Sequence, residues 1–441
     1  MESYSIVIIL LAIAIGLFPI ANKLKIPYPI LLLIIGIAIG FIPNFTNIMI
    51  NPEVVFFLFL PPMLYDAAYN IHFKDFKQNI STISLMAVLL VFITTAGIAV
   101  IVHYCIPNMS WSLSFVLGAI LSPPDAIAAT GVTKGLGLPQ RTNTILEGES
   151  LINDASTLVA FRFAVAAVAG STFILREAGL IFLISLIGGL LVGILLSLIF
   201  LFITRKRFDT NIVVSLNLML PFVAYLIAEE FHVSGVISSV IVGLQLANHK
   251  NIIPEKIVTT SKSVLDIIIF LLGGLVFILI GLQFPKLLKH IPSENILSLI
   301  GCAFLIFFVA LIIRMLVIFW HKQKTKKRYE NLFTHINSGE IHKRELLKIR
   351  LSHQLKNRTL DEFLEERRQL LLTNKEAIII GWSGMRGIVS LAAALSLPLL
   401  MEDGTDFPQR DTIIFLTVAV VIIMLLIQGL GLPLLMKLLK I

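Results

Sequence analysis

Long apolar stretches recur along the whole chain, and several reach the roughly 20 residues that a helix needs to cross a lipid bilayer. Of the 441 residues, 57% are hydrophobic and only 14% are charged. This composition predicts an all-α polytopic membrane protein. The opening residues, MESYSIVIILLAIAIGLF, lack the basic start and the cleavage pattern of a signal peptide, so we expect them to form a retained first helix.

Hydropathy predicts about thirteen transmembrane helices. The spans are expected near 4–22, 29–42, 54–70, 80–104, 112–130, 143–169, 178–203, 211–229, 233–248, 263–283, 295–320, 374–399 and 411–436. The chain then divides into a first transmembrane region (1–320), a cytoplasmic loop (321–375) and a second transmembrane region with the last two helices (376–441). The loop has mixed charge, which predicts a connector with short amphipathic helices.

Basic residues concentrate in alternate loops. One set of loops ends in the 321–375 loop, which holds fourteen Lys and Arg, whereas the opposite set holds only Arg176, Lys286, Lys289 and Arg410. The positive-inside rule places the first set in the cytoplasm, with the N-terminus outside the cell membrane and the C-terminus inside. Topology therefore explains the formal net charge of +8, and we expect no nucleic-acid partner.

The sixth predicted span opens with the polar stretch EGESLIND, which sets carboxylates into an apolar background. On a helix, Glu147, Ser150 and Asp154 share one face, and Glu149 and Asn153 lie on the adjoining stripe. Carboxylate, hydroxyl and amide oxygens are the ligands of small hard cations. A carboxylate there holds either a proton or a cation, as an exchanger requires. The alternative is a helix cap with a structural ion pair near the membrane surface.

The fifth span contains SPPDAIAATG, in which Pro123 and Pro124 precede Asp125. Consecutive prolines remove N–H donors and break a helix. Broken backbone at membrane depth is tolerated where it is buried in protein or lines a cavity, and it frees carbonyls for ions. Asp125 is either a cation ligand or a capping carboxylate at the start of a second half-helix.

Two further intramembrane charges stand beside helix-breaking residues. Arg386 follows two glycines in GWSGMRG, and a buried arginine needs a carboxylate partner, for which Glu149 is our candidate. A snorkelling arginine is the alternative. Asp66 follows Pro61 and Pro62 in the third span and is either part of a cytoplasmic funnel or an interfacial acid at a helix end.

Four motifs together carry a family resemblance: EGESLINDASTLVAFRF, SPPDAIAAT, FLPPMLYDAAYNI and GWSGMRGIVSLAAALSLP. In these the chain resembles the sodium/proton exchangers of the NhaP type, within the monovalent cation:proton antiporter superfamily. The resemblance covers nearly the whole chain and least the 321–375 loop. It implies two inverted six-helix repeats, an extra N-terminal helix, a homodimer, and unwound fifth and twelfth helices that cross near an ion site.

The resemblance also implies roles for individual residues. The implied ion- and proton-binding residues are Asp154, Asn153, Ser150, Asp125 and Ser122. Of these, Asp154, Ser150 and Asp125 would hold Na⁺, and the Asn-Asp pair is typical of electroneutral members. Because the unwound helix reads Ser-Pro-Pro-Asp where many relatives read Thr-Asp-Pro, we expect the carbonyl ligand from Ser122 or Pro124.

The remaining implied roles are structural. Glu149 and Arg386 match a buried ion pair of the family. Asp66 matches a position at the cytoplasmic funnel that is usually Glu, so its side chain is one methylene shorter.

The leading functional hypothesis is antiport of a monovalent cation, most simply Na⁺ but also K⁺ or Li⁺, against H⁺, with competitive binding at Asp154. Such a protein is not an enzyme and needs no cofactor. The alternatives are a cation channel or a non-transporting sensor. A remote alternative is an intramembrane serine protease built on Ser383, although His103, His232 and His249 fall at span ends.

Overall fold

The computed structural model describes residues 3–24, 27–42, 52–124, 138–170, 175–205, 209–290, 293–337, 371–401 and 404–440, with 362, 365, 368 and 369. Within them the chain is almost entirely helical. The helices are α1 (Ser3–Leu24), α2 (Tyr28–Gly40), α3 (Pro52–Asn70), α4 (Phe73–Ser84), α5 (Val91–Cys105), α6 (Trp111–Leu121), α7 (Gln140–Val168), α8 (Leu175–Arg205), α9 (Thr210–Glu230), α10 (Gly235–Asn248), α11 (Glu255–His290), α12 (Ser293–Asn337), α13 (Asn374–Trp382), α14 (Ile388–Leu395), α15 (Arg410–Met424) and α16 (Leu430–Leu439).

These helices confirm the predicted fold class. Among the described residues, seven helical stretches are long and apolar enough to cross a membrane, and shorter apolar helices lie between some of them. Each of the thirteen predicted spans overlaps a helix, or two helices in succession, and residues 125–130 of the fifth span lie outside the described residues. The fourth span is α4 joined to α5 through a π-helical segment, Leu85–Leu90, and the last is α15 joined to α16 through another, Leu425–Gly429.

The helices pack as two groups. In the first, which we call the core group, α5 packs on α6 and α12, α6 packs on α7, and α12 packs on α13 and α15. In the second, the flanking group, α11 packs on α1 and α2, while α10 packs on α3, α8 and α9. The groups meet where α3 and α10 contact α7 and where α11 contacts α15.

Two of the spans are broken, at the places where proline and glycine predicted a break. Helix α6 ends at Leu121, and residues 122–124 continue as non-helical chain. Between α13 and α14, residues 383–387 are also non-helical. Proline lacks an N–H donor, and glycine favours helix weakly, so each sequence stops its helix locally. Helices α6 and α14 contact each other, which brings the two broken spans together.

Helix α12 continues well past the bilayer. It has 45 residues, or about 68 Å at 1.5 Å per residue, against a hydrocarbon core of roughly 30 Å. The helix extends to Asn337, so the first part of the 321–375 segment continues a transmembrane helix instead of starting separate short ones. Lys322 and Lys324 lie over the rings of Phe319 and Trp320, respectively, near the end of its apolar part.

The end of the 321–375 segment is fixed to the core group by Arg141. Its guanidinium donates to Asn79 Oδ1 (3.0 Å) and to the backbone oxygens of Gln369 (3.2 Å) and Leu371 (3.4 Å). A capping box of Thr373 with the third residue of α13 then starts that helix. The starts of α7 and α13 are therefore held side by side.

Glycines allow two helices of the flanking group to pack at backbone distance. A Cβ added at Gly281 of α11 would lie 2.5 Å from Leu33 O and 2.7 Å from Ile37 N, and one at Gly36 would lie 2.4 Å from Ile278 O. Small residues at helix interfaces are a common device in membranes, where van der Waals packing drives association.

We predict that Gly281→Val separates α2 from α11 and destabilises the protein by about 1–3 kcal/mol, the usual cost of overpacking. The measurement is the melting temperature of the purified protein in detergent. The matched control is Gly301→Val on α12, where an added Cβ meets nothing within 4 Å. Equal melting temperatures for the two variants would refute the close packing.

Candidate functional site

Polar residues of α7 are buried in the core group. Glu149 and Asn153 are 0% exposed, and Ser150 is 7% exposed one turn before Asp154. Ser156 and Thr157 extend this buried polar stretch by another turn. The EGESLIND sequence therefore does not end the helix at the membrane surface but continues inside the protein.

Asn153 joins α7 to the break in α6. Its Nδ2 donates to the backbone oxygen of Pro124 at 2.9 Å, and its Oδ1 is buried without a hydrogen-bond partner among the described residues. The donor bond satisfies one of the carbonyls that the broken helix leaves unpaired. Since Asp154 follows Asn153 directly, its backbone lies at the level of this break.

The structure corrects the predicted partner of Glu149. Arg314 of α12 forms a bidentate ion pair with it: Nη1 donates to Oε1 at 2.5 Å and Nη2 to Oε2 at 2.7 Å. The side chains of the two residues are 6% and 1% exposed. Arg386, the partner that we predicted, makes no hydrogen bond or ion pair with Glu149 within the described part of the chain.

The physical reason lies in the packing of α12 against the break between α13 and α14. A Cβ at Gly384 would lie 2.5 Å from Arg314 Cδ, so the glycine leaves space for the arginine stem. Arg314 Nε also donates to Ile380 O at 3.0 Å, at the end of α13. Three helices, α7, α12 and α13, thus converge on the guanidinium of Arg314. We predicted Arg386 as the partner because it stands beside glycines in the sequence, but the sequence does not show that α12 approaches this break.

Arg386 lies in the same region but has different contacts. Its Nη1 is 3.1 Å from Met424 Sδ, and its Nε is buried without a hydrogen-bond partner among the described residues. It is 5% exposed, so it does not snorkel to the surface. Both arginines line a small cavity of about 10 Å³, and its lining residues are Leu90, Thr94, Ser122, Pro124, Ala310, Leu311, Arg314, Gly384, Arg386 and Gln428.

Both π-helical segments border this cavity, through Leu90 and Gln428. A π segment leaves backbone groups without their normal helical partners. Trp382 Nε1 donates to Gln428 O at 3.1 Å and satisfies one of them. The sequence analysis did not single out Gln428 as a residue of this region. The signal that could have revealed it is an isolated amide side chain near the end of an apolar span.

The other predicted ligands are located only in part. Ser122 is buried at the end of α6, and its hydroxyl donates to Ala119 O at 3.0 Å, so it both caps the helix and lines the cavity. Asp125 and the side chain of Asp154 lie outside the described residues. The structure therefore brings together Ser122, Asn153 and the backbone of Asp154. The roles of the Asp125 and Asp154 carboxylates as ion ligands stay predictions.

Asp66 lies on α3 of the flanking group and is half-buried. Asn70 Nδ2 donates to its Oδ1 and to its backbone oxygen, both at 2.9 Å. Glu147, half-buried on α7, lies close enough to interact electrostatically with Asp66. Each of these two carboxylates lies on one of two helices, α3 and α7, through which the helix groups contact each other.

Ser383 lies in the break between α13 and α14, and its hydroxyl is buried without a hydrogen-bond partner among the described residues. His103 Nδ1 and His249 Nδ1 each bond a nearby backbone oxygen, of Met109 and Gln245. These contacts hold the imidazoles at helix ends and give the protease alternative no support.

The family profile described as sodium/hydrogen exchanger, transmembrane, matches residues 6–438. The chain therefore belongs to the sodium/hydrogen exchanger family of membrane proteins.

Two similar relatives are proteins named sodium, potassium, lithium and rubidium/H⁺ antiporter. The one from Bacillus pumilus is 32% identical over 99% of this chain, and the one from Bacillus subtilis is 31% identical over 99%. The chain spans 61% and 62% of their lengths. The Na⁺/H⁺ antiporter NhaH of Halobacillus aidingensis is 29% identical, with 89% of this chain and 85% of that protein covered.

The fold is similar to that of the sodium proton antiporter MjNhaP1 from Methanocaldococcus jannaschii, determined at pH 8. The TM-score is 0.70 with 18% sequence identity, and the match covers 99% of this chain and 98% of that one. At this identity the likeness establishes the shared architecture.

We predict that Arg314→Met destabilises the protein by about 3–5 kcal/mol, because it leaves Glu149 as an unpaired buried charge. The double variant Glu149→Leu with Arg314→Met should recover a large part of this loss. Thermal unfolding in detergent measures both effects. If Glu149→Leu restored the stability of Arg386→Met but not that of Arg314→Met, the partner of Glu149 would be Arg386 and the observed pairing would be wrong.

The control for that cycle is the exposed ion pair of Lys326 and Glu330, on the part of α12 that continues past the bilayer, with an N–O distance of 3.6 Å and side chains that are 62% and 54% exposed. Because water screens such pairs, Lys326→Gln should cost only about 0–1 kcal/mol.

Proposed function

We propose that this protein exchanges a monovalent cation, Na⁺ in the first instance, for H⁺ across the cell membrane by alternating access. Membership of the sodium/hydrogen exchanger family supports this proposal. The similar relatives, which are longer than this chain, are named as cation/H⁺ antiporters, and their names support it as well. Competitive binding at Asp154 would couple the two ions.

The observation that carries the proposal is the hydrogen bond from Asn153 Nδ2 to Pro124 O. It links the helix that bears Asp154 to non-helical backbone, well inside a membrane protein. Free carbonyls and a nearby carboxylate are the hard oxygen ligands that Na⁺ prefers over nitrogen or sulfur. Ser150, one turn before Asp154, and Asp125, directly after Pro124, are proposed as further ligands.

Competition follows from electrostatics. A carboxylate away from water is costly as a free anion and is stabilised by either a bound proton or a bound cation. Neutralisation by one ion removes the attraction for the other. Exchange then requires only that the site face each side of the membrane in turn.

The two helix groups suggest how access alternates. All residues proposed as ligands are on α6, α7 or the chain between them, in the core group, whereas Asp66 is on α3. We propose that the core group moves against the flanking group, with Asp66 at the cytoplasmic funnel. We further propose that the N-terminus lies outside the cell membrane, that the C-terminus lies in the cytoplasm, and that the protein forms a homodimer.

We predict that Asp154→Asn abolishes cation-driven proton release in proteoliposomes loaded with a pH-sensitive dye, because the amide cannot titrate. Parallel assays with Na⁺, Li⁺ and K⁺ across pH 6–9 would define selectivity. The control is Asp209→Asn, which changes the same functional groups at the N-cap of α9, where Asn and Asp are equally good. Full retention of transport in Asp154→Asn would remove the residue from the mechanism.

Electroneutral exchange is a separate prediction, based on a single acid in the Asn-Asp pair. One cation against one proton moves no net charge, so a potential set with K⁺ and valinomycin should leave the Na⁺/H⁺ exchange rate unchanged. Acceleration by an inside-negative potential would instead indicate more than one proton per cation. Uptake without proton counterflow would favour the channel alternative.

A further inference from the structure

We infer that Arg162 and Glu229 form an outer latch, an ion pair that holds the core group against the flanking group while the ion site is closed to the outside. Arg162 is on α7 of the core group, and Glu229 is on α9 of the flanking group. Arg162 Nη2 donates to Glu229 Oε2 at 3.1 Å. The pair spans the boundary across which the two groups are proposed to move, so the inference rests on that proposed function.

The outer latch lies between the proposed ion site and the outer surface. Arg162 follows Asp154 by eight residues on α7, which is about 12 Å at 1.5 Å per residue. Helix α7 starts next to Arg141, in a loop that is cytoplasmic in the orientation proposed above, so Arg162 is on the outer side of Asp154. Glu229 is in the last turn of α9, which begins after the basic residues 205–207 of another such loop.

The flanking group orients the Glu229 carboxylate by itself. Its Oε1 accepts a hydrogen bond from Gly235 N at 3.2 Å, at the start of α10. The turn between α9 and α10 is closed by two backbone bonds, from Val233 N to Ala228 O and from His232 N to Glu229 O, both 2.9 Å. This is the bond pattern of a Schellman motif. A carboxylate fixed in this way loses little further freedom when an arginine binds it.

Helices α9 and α10 are also packed tightly enough to move as one unit. A Cβ added at Gly235 would lie 2.7 Å from Tyr225 Cδ2 and 2.8 Å from Tyr225 O. Ser239 Oγ of α10 donates to Pro221 O of α9 at 3.0 Å. Movement of the core group therefore changes the distance from Arg162 to Glu229, and the setting of Glu229 within its own group stays the same.

The outer latch is weak enough to break in each transport cycle. Its side chains are 60% and 31% exposed, and ion pairs of this kind shift an equilibrium by a factor of up to about five. A protein that alternates between two conformations needs them close in free energy, because a much stronger link would hold it in one of them. The outer latch therefore favours the conformation closed to the outside without preventing the other.

The first test removes the ion pair and measures cation dependence from the outside, in right-side-out membrane vesicles. Arg162→Gln and Glu229→Gln should each lower the half-saturating outer Na⁺ concentration by up to about fivefold, because a larger fraction of the protein is open to the outside. The double variant should match either single one, since both remove the same interaction. Lys326→Gln, which removes one positive charge elsewhere, is the control. No change in the single variants, or effects that add in the double, would overturn the inference.

The second test replaces the ion pair by a covalent link. Arg162→Cys and Glu229→Cys are combined in a chain whose two native cysteines, Cys105 and Cys302, are replaced by serine. A reducible bifunctional methanethiosulfonate is then added to the intact protein in membranes. We expect one spacer per chain by mass spectrometry, loss of Na⁺/H⁺ exchange, and recovery after reduction. The control is Arg162→Cys with Ala166→Cys, one turn apart on α7, where the same crosslink stays inside the core group and exchange should continue.

The two readouts separate failure of the outer latch from failure of the proposed function. If the first cysteine pair acquires two separate adducts instead of one spacer, the outer latch is wrong, and this mass measurement requires no antiport. Exchange that persists in the fully crosslinked protein would also overturn it. Absence of exchange in the wild-type protein, before any reagent is added, would instead count against the proposed antiport.

Discussion

The bidentate ion pair between Glu149 and Arg314 is the interaction on which the arrangement of the core group depends. A buried carboxylate or guanidinium is strongly destabilising alone and tolerable when paired with good geometry. Here both guanidinium Nη atoms reach the carboxylate, and Nε reaches Ile380 O. One arginine of α12 therefore fixes the position of α7 and of the break that follows α13.

The break after α6 and the second π-helical segment depend on this arrangement for the partners of their backbone carbonyls. Non-helical backbone in a membrane is stable only if protein satisfies its carbonyls. Asn153 does this for Pro124, and Trp382 does it for Gln428 in the nearby π segment. Helices α7 and α13, which the Arg314 pair holds in place, supply these two donors. The polar side chains of the site are thus both candidate ligands and parts of the scaffold.

The two helix groups differ in how they pack. Gly36 and Gly281 let α2 and α11 of the flanking group approach at backbone distance. Two carboxylates of different helix groups, Asp66 on α3 and Glu147 on α7, lie on helices that contact each other.

The sequence by itself determined the all-helical membrane fold class, the places where two of the predicted spans break and the buried polar helix, because these depend on local properties. Apolar length sets a span, proline and glycine stop a helix, and charges in an apolar run must be buried in protein. The prediction that Asn153 and Pro124 belong to one site followed from the family resemblance to these motifs.

Only the tertiary structure decided which partners meet. Arg314 and Arg386 are both arginines in apolar spans, and nothing local distinguishes the one that pairs with Glu149. That choice depends on the approach of α12 to Gly384, where the absence of a Cβ admits the Arg314 stem. The hydrogen bond from Trp382 Nε1 to Gln428 O likewise joins elements that are distant in sequence, and no local pattern records it.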